Sequence, residues 1–133
     1  MKRRVAASLM VLAIAGMSMS GAVWAKDSRR ARAAASSVDA GFAARDAFYS
    51  GEIEKALKLA PRAGERWIAG LAAYRLSKFD EARGFFEQVA TDYSEDEWLR
   101  SAAAFWAARA VTAGGEPEDA LPFLRMAACA PHT

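Results

Sequence analysis

Apolar residues recur at intervals of three and four positions over most of this 133-residue chain, and this spacing limits the fold more than any other feature. From Val38 the stripe continues through Phe42, Ala44, Ala47 and Phe48, which is the spacing of one helical face. Nowhere do β-branched or aromatic residues alternate with polar ones over a strand-length segment, and the many alanines favour helix. The sequence therefore predicts an all-α fold.

Turn-forming residues divide the chain into six short helices, which form three pairs. Ser94 and Glu97 have capping-box spacing, so we expect Ser94 to cap the fifth helix. Pro117 lies near the first turn of the sixth, where its missing N–H does no harm. The interruptions lie at Gly51, Pro61, Ser77–Lys78 and Gly114–Gly115, and the predicted helices at 38–50, 52–60, 65–76, 79–91, 95–113 and 117–130.

The predicted pairs repeat one pattern. The second helix of each starts with two polar residues and an alanine; in two pairs a small residue stands twelve positions earlier and a large apolar residue four positions later. The sets are Gly70, Ala82 and Phe86, then Ala108, Ala120 and Leu124, with Ala56 as the matching alanine of the first pair. This resembles the tetratricopeptide repeat (TPR), in which the small residue faces the alanine so that two helix backbones approach closely.

The repeat is irregular. The offset from Ala82 to Ala120 is 38 residues and that from Ala56 to Ala82 is 26, whereas the TPR period is about 34. We therefore expect a TPR-like helical-hairpin solenoid of about three helix pairs. The alternative is an irregular bundle, since any amphipathic helix can carry Ala and Phe four apart, but two pairs with the same internal offset favour the solenoid.

The N-terminus has the pattern of a secretory signal peptide. Basic residues at 2–4 precede an apolar stretch at 5–16, and Val23 and Ala25 suit the −3 and −1 positions of a signal peptidase site. We expect a signal peptide at 1–25, cleaved after Ala25, which places the protein in the periplasm. A flexible basic lead-in (26–37) and the TPR-like domain (38–133) follow. An uncleaved anchor is the alternative, but the apolar run is shorter than the ~20 residues that span a bilayer.

Charge excludes some functions. The chain has a net charge of +2 from 18 basic and 16 acidic residues. Loss of the three basic residues at 2–4 leaves 15 basic against 16 acidic, a net charge of −1. A near-neutral chain lacks the concentrated basic face that binds nucleic acid or anionic lipid, so neither is an expected partner, nor is a stable membrane anchor expected.

The sequence offers little for metal or covalent chemistry. Its single cysteine, Cys129, cannot form an internal disulfide, and we expect it to be a small core residue, with pairing between chains as the alternative if it is exposed. His132 is the single histidine, and Pro131 lies between it and Cys129. A zinc site is not expected, because the sequence has too few metal ligands. A catalytic Cys–His dyad is not expected either, because no third group is placed to orient the pair. We predict no cofactor, no metal and no catalytic residue.

Carboxylates form four clusters: Glu52 with Glu54, Asp80 with Glu81, Glu95 to Glu97, and Glu116 to Asp119. A pair of carboxylates can hydrolyse a glycosidic bond if an apolar pocket raises the pKa of one. However, every cluster falls at the start of a predicted helix, where acidic side chains favour the helix dipole. We interpret them as capping residues.

Aromatic residues form a second candidate surface, for sugar rings or a peptide, but their helical spacing favours a core role. Trp98, beside an acidic cluster, is the one expected to be partly exposed. The candidates are Trp67, Tyr74, Phe85, Phe86, Trp98, Phe105 and Trp106.

Three segments are more specific than a generic repeat: 67–76 leading into Phe79-Asp80-Glu81-Ala82, the Ala-Phe-Trp-Ala-Ala-Arg stretch at 104–109, and the final Pro131-His132-Thr133. Over about residues 42–133 the chain resembles the α-superhelical region of soluble lytic murein transglycosylases, periplasmic enzymes that cleave peptidoglycan glycan strands. In that family the catalytic glutamate lies in a Glu-Ser motif of a separate lysozyme-like domain. No Glu-Ser pair occurs here, so the resemblance implies only the accessory role of the helical region.

Two hypotheses follow. The first is that this chain is the non-catalytic helical portion of a lytic transglycosylase, truncated and inactive alone, with peptidoglycan or a missing C-terminal catalytic domain as its partner. Its last helix has no charged residue after Arg125 to cap a solenoid end, which supports truncation. The second is a free-standing periplasmic TPR-like scaffold that binds a protein or an envelope peptide.

Overall fold

The computed structural model describes residues 21–129, with side chains from Trp24 onward. Within that range there are six α-helices and no strand, which confirms the predicted all-α class. They are α1 Gly21–Tyr49, α2 Ile53–Leu59, α3 Arg66–Arg75, α4 Phe79–Thr91, α5 Glu97–Ala113 and α6 Ala120–Ala128, with a 3₁₀ turn at Pro117–Asp119 before α6. Most of the predicted signal peptide (1–20) and the closing Pro131-His132-Thr133 lie outside the described residues.

One turn recurs at the ends of four helical segments. A residue with positive φ follows each segment, and the next N–H group bonds back five positions to a helix carbonyl, as in a Schellman motif. These residues are Gly51, Gly64, Ser77 and Gly115, with φ of 85°, 74°, 58° and 92°, and the bonds are Glu52 N to Ala47 O, Glu65 N to Ala60 O, Lys78 N to Ala73 O and Glu116 N to Val111 O. The predicted interruptions at Gly51, Ser77–Lys78 and Gly114–Gly115 therefore coincide with the ends of helices.

Ser77 is the one member of this set that is not glycine, and the left-handed conformation costs an L-residue about 1–2 kcal/mol. Ser77→Gly is expected to raise the free energy of unfolding by about 0.5–1 kcal/mol, after allowing for the greater freedom of glycine in the unfolded chain. Urea denaturation followed by circular dichroism measures it. Gly51→Ala, at the equivalent position, should destabilise the protein, and equal effects of the two variants would contradict the assignment.

The cap of α5 differs from the prediction. Asp96 is the N-cap, and its Oδ2 accepts hydrogen bonds from the backbone N–H groups of Trp98 and Leu99 at 3.0 and 3.3 Å. Ser94 instead donates its hydroxyl and its backbone N–H to Asp92 Oδ1. The expected Ser94 cap is wrong, because a nearby carboxylate already engages that hydroxyl in the preceding turn.

Residues 26–37, expected to be a flexible lead-in, are part of α1 and are all exposed. The alanine and arginine content of this segment explains its helical form, since both residues are strong helix formers. Tertiary packing of α1 starts at its C-terminal part, where Gly41, Ala44 and Ala47 are buried. The helix is therefore longer than its packed portion.

Each helix packs against the next in the chain, and α1 also contacts α3. Small residues dominate the interfaces, so the helices approach closely around a few large side chains, of which Phe86 is fully buried. The largest core cluster consists of Ala73, Ala82, Phe86, Ala107, Ala108, Ala110, Val111, Ala120 and Phe123. Within residues 21–129 no helix is both long and apolar enough to cross a membrane.

In the first repeat-like set, Gly70, Ala82 and Phe86 are all buried. A Cβ placed on Gly70 would lie 2.7 Å from Cε1 of the Phe86 ring. The second set agrees only in part: Ala108 and Ala120 are buried, but Leu124 is 43% exposed. Phe123 is buried in its place, because its side of α6 faces the core cluster, where the Arg83 guanidinium of α4 lies 5.8 Å from its ring.

Candidate functional site

Helices α3, α4 and α5 bring five aromatic rings into a continuous series. Phe86 lies at the buried end beside Trp67, and Tyr74 and Trp106 extend the series toward the surface. Three of the ring contacts are edge-to-face and the Phe86–Trp106 contact is tilted. Aromatic pairs stabilise by about 0.5–1.5 kcal/mol each beyond the area they bury. The centroid distances are 5.5 Å for Trp67–Phe86, 5.9 Å for Phe86–Trp106, 5.3 Å for Trp106–Tyr74 and 5.4 Å for Tyr74–Phe79.

Arg109 closes the outer end of this series. It follows Trp106 by one helical turn, and its Cζ lies 4.5 Å from the Trp106 ring centroid and 5.6 Å from that of Tyr74. The side chain is exposed and forms no ion pair within residues 21–129. Stacking on two rings holds the guanidinium in place by cation–π attraction, so its donors remain available to an anionic ligand.

A groove of about 300 Å³ lies beside this arginine. Small residues of α5 line it together with Tyr74, Arg109 and Leu124. A mostly apolar groove with one fixed cation can hold a sugar ring or a short peptide that carries a carboxylate. The lining residues are Tyr74, Ala108, Arg109, Thr112, Ala113 and Leu124. This is the Arg109 groove.

The aromatic candidates divide between core and surface. Phe86 is fully buried, and Trp67, Tyr74, Phe85 and Trp106 are partly buried against the core, as predicted. Trp98 is 75% exposed, which confirms the expectation for that residue, whereas Phe105, expected in the core, is 48% exposed. Trp98 and Phe105 stand two turns apart, on one face of α5.

The acidic clusters lie at helix starts, as the sequence indicates. Glu54, the pair Asp80 and Glu81, Glu97, and the pair Glu118 and Asp119 occupy the first turns of their helices. All of these side chains are exposed, so none lies in the apolar surroundings that a carboxyl group needs to act as a general acid.

An ion-pair cluster joins the start of α3 to the loop before α5. Arg66 Nη2 contacts Asp92 Oδ2, and lies 3.4 Å from Glu95 Oε1. Hydrogen bonds from the Ser94 hydroxyl and from Arg66 lower the pKa of Asp92 far below its ordinary value of 3.8, and the Asp92 hydrogen bond raises the pKa of Arg66. This shift keeps Asp92 ionised, which is the opposite of what a proton donor needs, so the cluster is structural.

The lowered pKa predicts how acid affects stability. A carboxylate whose pKa is lower in the folded chain stabilises it above the unfolded value, and this stabilisation is lost as pH falls. The difference in Tm between wild type and Asp92→Asn is therefore expected to be constant from pH 7 to pH 5 and to shrink below the ordinary pKa of 3.8. Thermal melts measure it. Ser94→Ala should weaken this pH dependence, and a difference that persists unchanged at low pH would contradict the assignment.

Cys129 is exposed, so the expectation that it is a small core residue is wrong. Its position directly after α6 explains this, because the described residues include no helix to cover that end. Within residues 21–129 no group of three or more His, Cys, Asp or Glu side chains is placed to hold a metal ion. His132, the other candidate ligand, lies outside the described residues.

Comparison with protein-family models, curated proteins and solved structures gives no significant match for this chain. The resemblance to lytic transglycosylases therefore stays a hypothesis, and the case for function depends on the residues themselves. The sequence pattern predicts Tyr74 and Trp106 as candidate surface residues, but it does not predict Arg109. The one available signal was its position three residues after Trp106, which puts the two side chains on adjacent turns of a helix.

Proposed function

We propose that this chain is a non-catalytic, TPR-like helical platform of the periplasm that binds peptidoglycan, as the helical portion of a lytic murein transglycosylase does. The Arg109 groove carries this proposal. Peptidoglycan combines sugar rings with lactyl and peptide carboxylates. The groove has a mostly apolar surface beside the Arg109 guanidinium, which is held over Trp106 and Tyr74. Such a pairing of an aromatic-backed arginine with an apolar surface suits a ligand that is both ring-shaped and acidic.

The TPR-like arrangement is supported by packing. Each helix contacts its successor, α1 contacts α3, and Phe86 lies directly over Gly70 at the crossing of α3 and α4. A solenoid requires contacts of this kind, because every hairpin buries its apolar face on a neighbour. The non-catalytic role is supported by the exposed acidic clusters and by the lowered pKa of Asp92.

Export is supported by the leader pattern and by the packing of α1. Every residue from 24 to 39 is exposed. Cleavage after Ala25 would therefore leave every buried contact of the described helices intact. We expect the purified exported chain to begin at Lys26.

Cosedimentation with purified, detergent-boiled sacculi tests the proposal. We expect the wild-type chain to pellet with sacculi, and Arg109→Ala to weaken binding by about tenfold through loss of one charge-assisted contact. Arg125→Ala is the matched control, since this arginine is also exposed but lies outside the groove lining. Chromatography of the supernatant should show no release of 1,6-anhydro-muropeptides. Release of these products would contradict the non-catalytic role, and equal binding of the Arg109 and Arg125 variants would exclude the groove.

A free-standing scaffold that binds a periplasmic protein is the second candidate. The exposed side chains of Trp98 and Phe105 on α5 favour it, because aromatic residues at 75% and 48% exposure are frequent anchors of protein interfaces. The same experiment separates the two. Binding to untreated cell envelopes that disappears with boiled, protease-treated sacculi would support the scaffold and contradict peptidoglycan binding.

A further inference from the structure

One face of α1 exposes large apolar side chains along its length. Val38, Phe42 and Tyr49 are 65%, 66% and 77% exposed, although the same helix buries Ala44 and Ala47 on another face. The exposed residues belong to a series spaced alternately four and three apart. The series, which we call the α1 seam, is Trp24, Ser28, Ala31, Ala35, Val38, Phe42, Arg45 and Tyr49, and every member is exposed.

Alternate spacing of three and four is the heptad pattern of a coiled coil, in which the seam packs against a second helix. Six of the eight members are apolar. Of the others, Arg45 forms an ion pair with Glu65 at 3.6 Å, so its charge already has a partner within the chain.

The first half of α1 also has no buried residue among those that the structure describes. Residues 24–39 are all exposed, and a helical segment of this length is marginally stable in water without tertiary contacts. A partner helix along the seam would supply those contacts.

We propose that α1 pairs with α1 of a second copy of this chain in an antiparallel two-helix coiled coil. One register places large side chains against small ones throughout. In it, Val38 lies opposite Ala35 of the second copy, Phe42 opposite Ala31, Arg45 opposite Ser28, and Tyr49 opposite Trp24. A parallel pairing in register would instead set Arg45 against Arg45 and Phe42 against Phe42, which costs both charge repulsion and packing.

Charge complementarity supports the same register. Arg32 and Asp39 flank the seam on one side, and the antiparallel arrangement brings Arg32 of one copy beside Asp39 of the other, twice by symmetry. Neither residue has an ion-pair partner within residues 21–129. In the chain that begins at Lys26, overlap of residues 26–47 gives a contact about 33 Å long at 1.5 Å per residue. Cleavage after Ala25 would remove only Trp24 from the seam.

Sedimentation equilibrium of the purified chain tests the proposal. We expect a dimer, and expect Phe42→Glu to raise its dissociation constant by about 100-fold or more because two buried phenyl groups are lost. Trp98→Glu is the matched control, since Trp98 is an equally exposed aromatic residue outside the seam. Thermal melts should show that both variants keep the folded helical body, because each replaced side chain is mostly exposed.

A charge swap tests the register. Arg32→Asp should weaken the dimer by about tenfold through repulsion from Asp39 of the second copy, and the double variant Arg32→Asp with Asp39→Arg should restore it. A wild-type chain that is monomeric at every concentration, or a dimer that Phe42→Glu leaves intact, would overturn the proposal. Failure of the double variant to restore the dimer would overturn the antiparallel register.

Discussion

Replacing Phe86 by alanine is expected to lower the free energy of unfolding by about 3–5 kcal/mol, the range measured for deletion of a buried phenyl group. Phe86 has no exposed surface and contacts the rings of Trp67 and Trp106 at centroid distances of 5.5 and 5.9 Å. The other buried members of its core cluster are mostly alanines, which are too short to fill the cavity. Urea denaturation monitored by circular dichroism measures the loss.

Phe105→Ala provides the comparison, because Phe105 is on α5 with 48% of its surface exposed. Its removal should cost about 1 kcal/mol, well below the loss at Phe86, since roughly half of its surface stays in water on folding. Equal losses in the two variants would mean that Phe86 is not the centre of the core, and would also remove the main support for the close packing of α3 on α4.

The helices were predictable because their ends depend on local signals. A glycine with positive φ closes α1 and α5 where the sequence has Gly51 and Gly115, and α4 begins and ends at the predicted residues, Phe79 and Thr91. These signals act within one turn of backbone, so the neighbours in sequence are sufficient to determine them.

The cap of α5 shows where local reasoning fails. Ser94 and Asp96 are both good capping residues, and only Glu95 lies between them. What decides between them is Asp92, which accepts the Ser94 hydroxyl at 2.6 Å while also contacting Arg66 of α3. The Arg66–Asp92 contact joins residues that are 26 positions apart in the sequence, and no periodic pattern predicts it.

The candidate site was predicted only in part for the same reason. Tyr74 and Trp106 could be named as aromatic residues on helices, but the groove exists because α3 and α5 place Tyr74 and Arg109 side by side. Likewise, the repeat-like spacing predicts that Leu124 rather than Phe123 is buried, because spacing alone does not determine which side of α6 faces the core. Relative rotation of packed helices decides both outcomes.

The second large effect is expected at Gly70, where a methyl group should destabilise the protein even though alanine is the better helix former. A Cβ on Gly70 would lie 2.7 Å from the Phe86 ring, a distance that real Cβ atoms do not adopt, so helix α3 or the ring must shift. Overpacking of this kind costs about 1–3 kcal/mol, which exceeds the gain of about 1 kcal/mol in helix propensity.

Gly84→Ala isolates the steric cost of the Gly70 change. Gly84 lies inside α4 with nothing within 4 Å of an added Cβ, so alanine there should raise the free energy of unfolding by about 0.5–1 kcal/mol. The propensity gain is the same at both sites, and the gap between the two variants therefore measures the crowding by Phe86. A further variant, Gly70→Ala with Phe86→Leu, should lose less stability than the two single changes together, because the smaller side chain leaves room for the methyl group. If the two changes are additive, Gly70 is not at the crossing of α3 and α4, and the close helix approach that supports the TPR-like proposal is absent.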